Sequence, residues 1–285
     1  MNSVNVFLAL IVGLVLAPAA SGLIAGVDRR ITARLQSRLG PPILQPFYDV
    51  FKLFGKERLL SNYWLAFCSF VYLVAAATAT VLFFFQSDLL LIFFVQAVGS
   101  VFLVVGALTV PSPYSQVGAH RELLQILTYE PLLVLVIVGI YMVTGSFKVS
   151  AIYELNTPLL FHLPLMFLVL GYALTIKLRK SPFDISASHH AHQEIVRGVY
   201  TEYVGPYLGI IEVAHWFEIA LVLGLVSLFW STSVIGIILL LMITYFVEIL
   251  VDNSTSRMTW KWMLGSAWAV GLSFSVINLV WLHYR

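Results

Sequence analysis

Charge and cysteine are what this chain has least of. Only 11% of its 285 residues are Asp, Glu, Lys or Arg, against about a quarter in a soluble globular protein, so a water-soluble fold is excluded before any motif is read. The single cysteine, Cys68, lies in an apolar run, which rules out a disulfide framework. It also rules out an iron–sulfur cluster held by this chain alone, because such clusters take about four thiolate ligands. The sequence has no glycine-rich phosphate loop, no metal-ligand set with recognisable spacing and no nucleophile–base constellation, so the chain is not expected to catalyse a reaction by itself. A net charge of +2 gives no reason to expect a nucleic-acid partner.

What it does have is hydrophobic length. The composition is 60% apolar with a mean hydropathy of +0.93, and a bilayer-spanning helix takes roughly 20 such residues. Runs at about 4–27, 64–85, 88–110, 122–144, 159–178, 209–231, 233–251 and 262–284 qualify. The expected fold is therefore an all-α integral membrane protein of about eight transmembrane helices, one transmembrane domain over 1–285. Pro, Gly, Ser and Asp mark the breaks, as at Ser87-Asp88, Pro111-Ser112-Pro113 and Asp252-Asn253-Ser254, where turns belong. The run Leu132–Thr144 is too short alone, so its helix is expected to begin near Leu123. Glu130 then lies inside the bilayer, on the order of 10 Å below its surface.

Charge asymmetry orients the spans. Fourteen of the sixteen Lys and Arg fall in alternate loops, leaving Lys148 and Arg285 on the other side. The positive-inside rule then puts both termini outside and three long loops, 28–62, 111–121 and 179–208, in the cytoplasm. A cleaved signal peptide at the start is not expected, since no basic stretch precedes the first apolar run.

The first of these loops reads RRITARLQSRLGPPILQPFYDVFKLFGKE from Arg29 to Glu57. A basic amphipathic stretch is often only an interfacial anchor, but Gly40, Pro41, Pro42 and Pro46 break this one into short, stiff pieces. Here the chain resembles the membrane subunit shared by respiratory complex I (its subunit 1) and the energy-converting nickel–iron hydrogenases. The matching residues are Arg29, Arg30, Ala33, Arg34, Gln36, Arg38, Gly40, Pro41, Gln45, Pro46, Asp49, Lys52, Leu53, Lys56 and Glu57. The likeness continues through RELLQILTYEPLL (Arg121–Leu133), SPFD (Ser181–Asp184) and TEYVG (Thr201–Gly205), and it spans nearly the whole chain.

After PFD, complex I members resemble one another in a pattern like PFDLPEAEAELVAGYHTEY, whereas this chain has PFDISASHHAHQEIVRGVYTEY. Lys177 and His215 stand where that branch has acids. The stretch is similar to the ferredoxin-linked, Ech-type hydrogenase branch. The resemblance implies a membrane coupling and docking subunit that links ferredoxin-dependent hydrogen evolution in a cytoplasmic arm to proton or sodium translocation. It implies no cofactor on this chain, with iron–sulfur clusters and a nickel–iron centre on partners. Those partners are the hydrogenase large and small subunits, a cluster-carrying ferredoxin-like subunit and an antiporter-like membrane subunit, in the cell membrane of a prokaryote. A quinone-site subunit of complex I and a stand-alone cation transporter are the alternatives.

Candidate docking residues are Arg29, Arg30, Arg34, Arg38, Pro41, Pro42, Asp49, Lys52, Asp184, His189, His190, His192 and Glu194. The last four could ligate zinc or iron, but without a cysteine or a second ligand cluster nearby they read as a polar interface loop. His162, His215 and His283 do not form an expected haem site. Ionisable groups within spans are costly and are functional candidates by default. The candidate proton path is Glu130, Glu202, Glu212, His215, Glu218, Glu248 and Asp252. Glu212, His215 and Glu218 fall at i, i+3 and i+6, within a sector of about 120° spread over roughly 9 Å of helix, with little intrachain counter-charge expected beside them. Glu248 and Asp252 share a face at i and i+4. For Asp252, at a helix end, a structural ion pair with Lys177, Arg179, Arg121 or a neighbouring subunit is the favoured reading.

Overall fold

The computed structural model describes residues 3–59, 62–187 and 195–284. His189, His190, His192 and Glu194 lie outside the described residues. Helices follow one another as α1 (Ser3–Ile11), a π-helical turn (Val12–Leu16), α2 (Ala17–Leu35), α3 (Gln45–Phe54), α4 (Tyr63–Phe84), α5 (Leu89–Leu108) and α6 (Pro113–Thr144). After them come α7 (Val149–Tyr153), α8 (Leu159–His162), α9 (Pro164–Lys177), a 3-10 turn (Gly198–Tyr200), α10 (Pro206–Leu228), α11 (Val234–Ser254) and α12 (Trp260–His283). Among the described residues, seven helical stretches are long and apolar enough to cross a membrane, and α9 is a shorter apolar helix. The chain is an all-helical, multi-pass membrane protein.

The helix ends obey local rules. Proline opens α6, α9 and α10 and stands second in α3, where its missing N–H would have no intrahelical partner anyway. Asn62 caps α4 by accepting from Trp64 N at 3.0 Å. Asp88 caps α5 by accepting from Leu90 N and Leu91 N at 2.8 and 3.2 Å. Asn and Asp at these positions take up N–H groups that the helix leaves open.

Three boundaries differ from the sequence expectation. Helix α2 carries on to Leu35, so Asp28–Leu35 is helix and not loop; Val6–Leu35 runs 30 residues, about 45 Å at 1.5 Å each. The stretch 111–121 enters α6 at Pro113, ten residues before Leu123, because Pro113 is itself a good helix starter. The run 159–178 is not one span. Pro164 has no N–H to continue α8, and the break at Leu163 (φ −128°, ψ 50°) leaves α9 with 14 residues, about 21 Å against a hydrocarbon core of about 30 Å.

The chain divides into two compact units, with no polar linker in the sequence to mark the division. Unit 1 comprises Met1–Phe85, Ile92–Leu123 and Ser186–Leu221; unit 2 comprises Gln86–Leu91, Leu124–Ile185 and Val222–Arg285. Within unit 1, close approaches depend on residues without a side chain. A Cβ on Gly26 would overlap the carbonyl oxygen of Ile43, and one on Gly22 would sit 2.8 Å from the Phe47 ring. The proline-stiffened loop is thus folded back against α2, and Phe47 packs on Trp216 of α10 with ring centroids 4.9 Å apart. A Cβ on Gly106 would overlap Tyr203 Oη and lie 2.8 Å from Cys68 Cβ. Gly198 has φ +55°, and a Cβ there would overlap the Ser186 carbonyl oxygen, so no other residue fits that turn without strain.

Within unit 2, Asn278 of α12 repairs the break in α8–α9. Its side-chain oxygen accepts from Leu165 N (2.9 Å) and Met166 N (3.2 Å), and its amide donates to His162 O (3.1 Å). The same helix pair is joined by Tyr172 and Ser266 hydroxyls at 2.7 Å. A fully buried asparagine in an apolar span is tolerable because its polar atoms are used.

Candidate functional site

In unit 1 the polar residues converge on α10. Glu218 is buried, while Glu212 and His215 are half-buried on the same helix. Their spacing is the i, i+3, i+6 series read from the sequence, and the helix keeps them in one sector. Gln96 of α5, itself buried, donates from Nε2 to Glu218 Oε1. His215 Nδ1 lies 3.5 Å from Glu218 Oε2. Thr80 of α4 fixes the neighbouring backbone, its hydroxyl donating to Ala76 O at 2.9 Å and reaching Phe217 O at 3.3 Å. Ser100 donates to Gln96 O at 3.4 Å. Two buried atoms of this group have no hydrogen-bond partner, Gln96 Oε1 and His215 Nδ1. Burying polar atoms in an apolar bundle without partners costs stability, so this arrangement is not explained by packing.

The expectation of little counter-charge beside these acids is corrected for Glu212, which faces Arg197 at 3.6 Å. The pair bridges the segment preceding the 3-10 turn and α10, a link that sequence distance conceals. Glu202 sits half-buried in the turn before α10. Nearby, Tyr203 reaches back to Leu103 O at 3.3 Å. Burial pushes its phenol above the usual tyrosine range, and the adjacent Cys68 adds to the rise.

The basic loop is also in unit 1. Arg29, Arg30, Arg34, Arg38 and Lys52 are exposed, as is Pro42, with Pro41 half-covered. Arg29 and Asp49 hold each other at 2.7 Å, and Gln45 donates to the other oxygen of Asp49 at 2.9 Å. Arg38 bonds Gln36. The ion pair is exposed and of small energetic weight; its role is to fix α3 relative to α2. Two of the candidate docking residues are thus spent on each other.

Unit 2 gathers the remaining acids around the end of α9. Lys177, Arg179 and Lys180 are all buried there. Lys177 Nζ lies over the Tyr129 ring at 5.1 Å and Lys180 Nζ over the Tyr245 ring at 4.7 Å, arrangements that favour a cation. Lys177 also interacts electrostatically with Glu130. Glu130 is half-buried and precedes Pro131, whose ring nitrogen leaves the Leu127 carbonyl without its helical donor. Glu248 is buried and accepts from Thr175 at 3.2 Å. Asp252 accepts from Ser181 N at 2.8 Å, which ties α11 to the segment after α9. Asp184 is buried against Arg257, 3.7 Å away, and Arg257 also donates to Ile185 O. The SPFD segment is further tied down by Met258 N donating to Pro182 O at 2.9 Å and by Gln125 donating to Phe183 O. Asp184 is therefore held inside the protein and not presented for docking.

Gln96, Thr80, Arg197 and Asn278 were not anticipated. For Gln96 and Asn278 the signal was available, since a lone amide inside an apolar span is a functional or structural marker. Arg197 could be matched to Glu212 only in three dimensions. Among the described residues there is no group of three or more His, Cys, Asp or Glu that could hold a metal ion.

Comparison with known proteins now gives this geometry a family. The sequence profile described as NADH dehydrogenase matches residues 7–283. Hydrogenase-4 component C of Escherichia coli is 27% identical, over 92% of this chain and 90% of that protein. An NADH-quinone oxidoreductase subunit of Dehalococcoides mccartyi is 28% identical, over 89% of this chain and 79% of that protein. A chain of the membrane-bound sulfane sulfur reductase, an archaeal respiratory membrane complex, superposes with a TM-score of 0.86 at 23% identity, covering 97% of this chain and 99% of that one. The likeness to that structure is one of fold. With the profile matched from end to end of the helical region, the chain belongs to the NADH dehydrogenase family, which also holds the corresponding complex I subunit and the hydrogenase-4 and formate hydrogenlyase membrane subunits.

Proposed function

We propose that this chain is the coupling and docking membrane subunit of an energy-converting nickel–iron hydrogenase. In this reading ferredoxin-dependent proton reduction in a cytoplasmic arm drives ion translocation through the membrane part. The observation that carries it is the Gln96–Glu218–His215 group on α5 and α10, with Gln96 and Glu218 buried and His215 half-buried. A titratable cluster with spare hydrogen-bonding capacity in an apolar bundle suits proton handling better than packing. The relationship to hydrogenase-4 component C, and to formate hydrogenlyase subunit 4 at 29% identity over 68% of this chain, supports the hydrogenase branch. The exposed Arg30 and Arg34 at the end of α2, Arg38 just after it and Lys52 on α3, with a glycine- and proline-fixed turn between the two helices, supply a rigid cationic surface for an acidic soluble arm. Iron–sulfur clusters and the nickel–iron centre belong, on this reading, to partner subunits. The membrane is the prokaryotic cell membrane, with the basic loops facing the cytoplasm and both termini opposite.

The deciding experiment is to purify the intact complex and compare hydrogen evolution from reduced ferredoxin with quinone reduction. Hydrogen evolution with no quinone reductase activity is the expected result. Quinone reduction without hydrogenase activity would assign the chain to the quinone-site role of complex I, and ion transport by the chain alone, with no redox partner, would make it a transporter.

A further inference from the structure

We infer that Gln96, Glu218 and His215 form a proton-exchange site in which Gln96 is a positioning residue. The inference deepens the proposed function and rests on it. Gln96 comes from α5 and the other two from α10, all within unit 1. Its amide occupies Glu218 Oε1, which leaves Oε2 as the oxygen turned toward His215 Nδ1, 3.5 Å away. A proton leaving Nδ1 therefore has one defined acceptor. The nitrogen keeps its lone pair, the new bond is O–H on Oε2, and the carboxylate becomes a neutral acid.

Three features argue for a site and against a filler. Gln96 is 5% exposed, yet its Oε1 has no hydrogen-bond partner, and His215 Nδ1 has only the 3.5 Å approach of Glu218 Oε2. A leucine would fill the same volume in an apolar span with no unsatisfied oxygen. Thr80 and Ser100 then fix the backbone at Phe217 and at Gln96, so both partners of the Gln96–Glu218 bond stand on braced helices. The donor set also discriminates between ions. A hard cation such as Na⁺ takes several oxygen ligands, but here one carboxylate oxygen is taken by an N–H donor and the other faces a nitrogen. Gln96 Oε1 alone is uncommitted, and it suits the O–H of a hydrated proton. Arg197 sits with Glu212 on the same face, nearer the start of α10, where it offsets the charge of that acid.

The test uses the intact complex in sealed vesicles and the variants Gln96→Met, of matched length, Glu218→Gln, and Phe94→Leu as an exposed control on α5. Infrared difference spectra between oxidised and reduced complex identify the Glu218 carboxyl band by its loss in Glu218→Gln. In Gln96→Met that band should move to higher wavenumber, because one hydrogen bond to the carboxyl is gone, and protons moved per electron should fall at least about tenfold, whereas Phe94→Leu should match the parent. An unmoved band and an unchanged ratio in Gln96→Met, with Glu218→Gln defective, would overturn the role of Gln96 while leaving the coupling function standing. Normal pumping in Glu218→Gln would overturn the reading of the acids themselves. Translocation that requires Na⁺ and withstands a protonophore would overturn the assignment of the ion.

Discussion

Gly106→Ala offers a quantitative test of the packing in unit 1, because the chain's only thiol reports on it. The added methyl would overlap Tyr203 Oη and lie 2.8 Å from Cys68 Cβ. Cys68 is fully buried. Overpacking of this kind costs about 1–3 kcal/mol. Displacing the Tyr203 hydroxyl from Leu103 O removes a buried hydrogen bond worth about 1 kcal/mol. Against this, alanine gains about 0.5–1 kcal/mol of helix propensity over glycine. The net loss is roughly 1–3.5 kcal/mol, and at about 1.4 kcal/mol per tenfold the open population rises about 5- to 300-fold. When local opening is fast and reversible, modification of a buried group follows that population. The assay is the rate of Cys68 alkylation in the detergent-solubilised complex, read by peptide mass spectrometry. Gly106→Ala should accelerate it by that factor, and adding Tyr203→Phe, which deletes the overlapping oxygen, should take back part of the increase. A rate equal to the parent's, or a double variant more reactive than Gly106→Ala alone, would refute the reasoning.

Other consequences are as direct. Asn278→Leu leaves two amide N–H groups and a carbonyl at the α8–α9 break without partners; at about 1–3 kcal/mol for a buried unmet group, the melting temperature in detergent should drop clearly, and an unchanged one would contradict the bracing role. Tyr203 has its folded pKa raised by burial, so its contribution is full below about pH 10, the unfolded tyrosine value, and is lost as pH rises from there. Tyr203→Phe should therefore flatten the fall of stability above about pH 10 in alkaline unfolding curves; the same slope in both proteins would count against this. Arg34→Glu, on the exposed side of α2, should release the soluble arm from membranes at low salt, as seen by sedimentation, whereas a bound and fully coupled arm would reduce the loop to a membrane anchor.

Composition alone determined that this is a membrane protein built of helices, because 11% charge and a mean hydropathy of +0.93 leave water no role as the main solvent of the surface. The periodic acids on α10 and the glycine- and proline-rich basic loop were legible for the same reason: helix geometry fixes i, i+3, i+6 neighbours, and proline fixes turns, before any tertiary contact forms. Helix boundaries were less so. A hydropathy window cannot see that α2 and α6 extend past the apolar stretch, since exposed helix is stabilised by its own hydrogen bonds, nor that Pro164 breaks a run that stays largely apolar on both sides of it.

What only the tertiary structure decided is which polar groups meet. Gln96 and Glu218 are 122 positions apart, Asn278 and His162 are 116 apart, and Arg197 reaches Glu212 across a turn. A buried amide or carboxylate must find its partner or bear the cost of having none, and that partner lies on whichever helix packs alongside. Local sequence sets which face of a helix is polar; the packing of one helix against another sets whether a group on that face ends in an ion pair, a hydrogen bond or a buried atom without one.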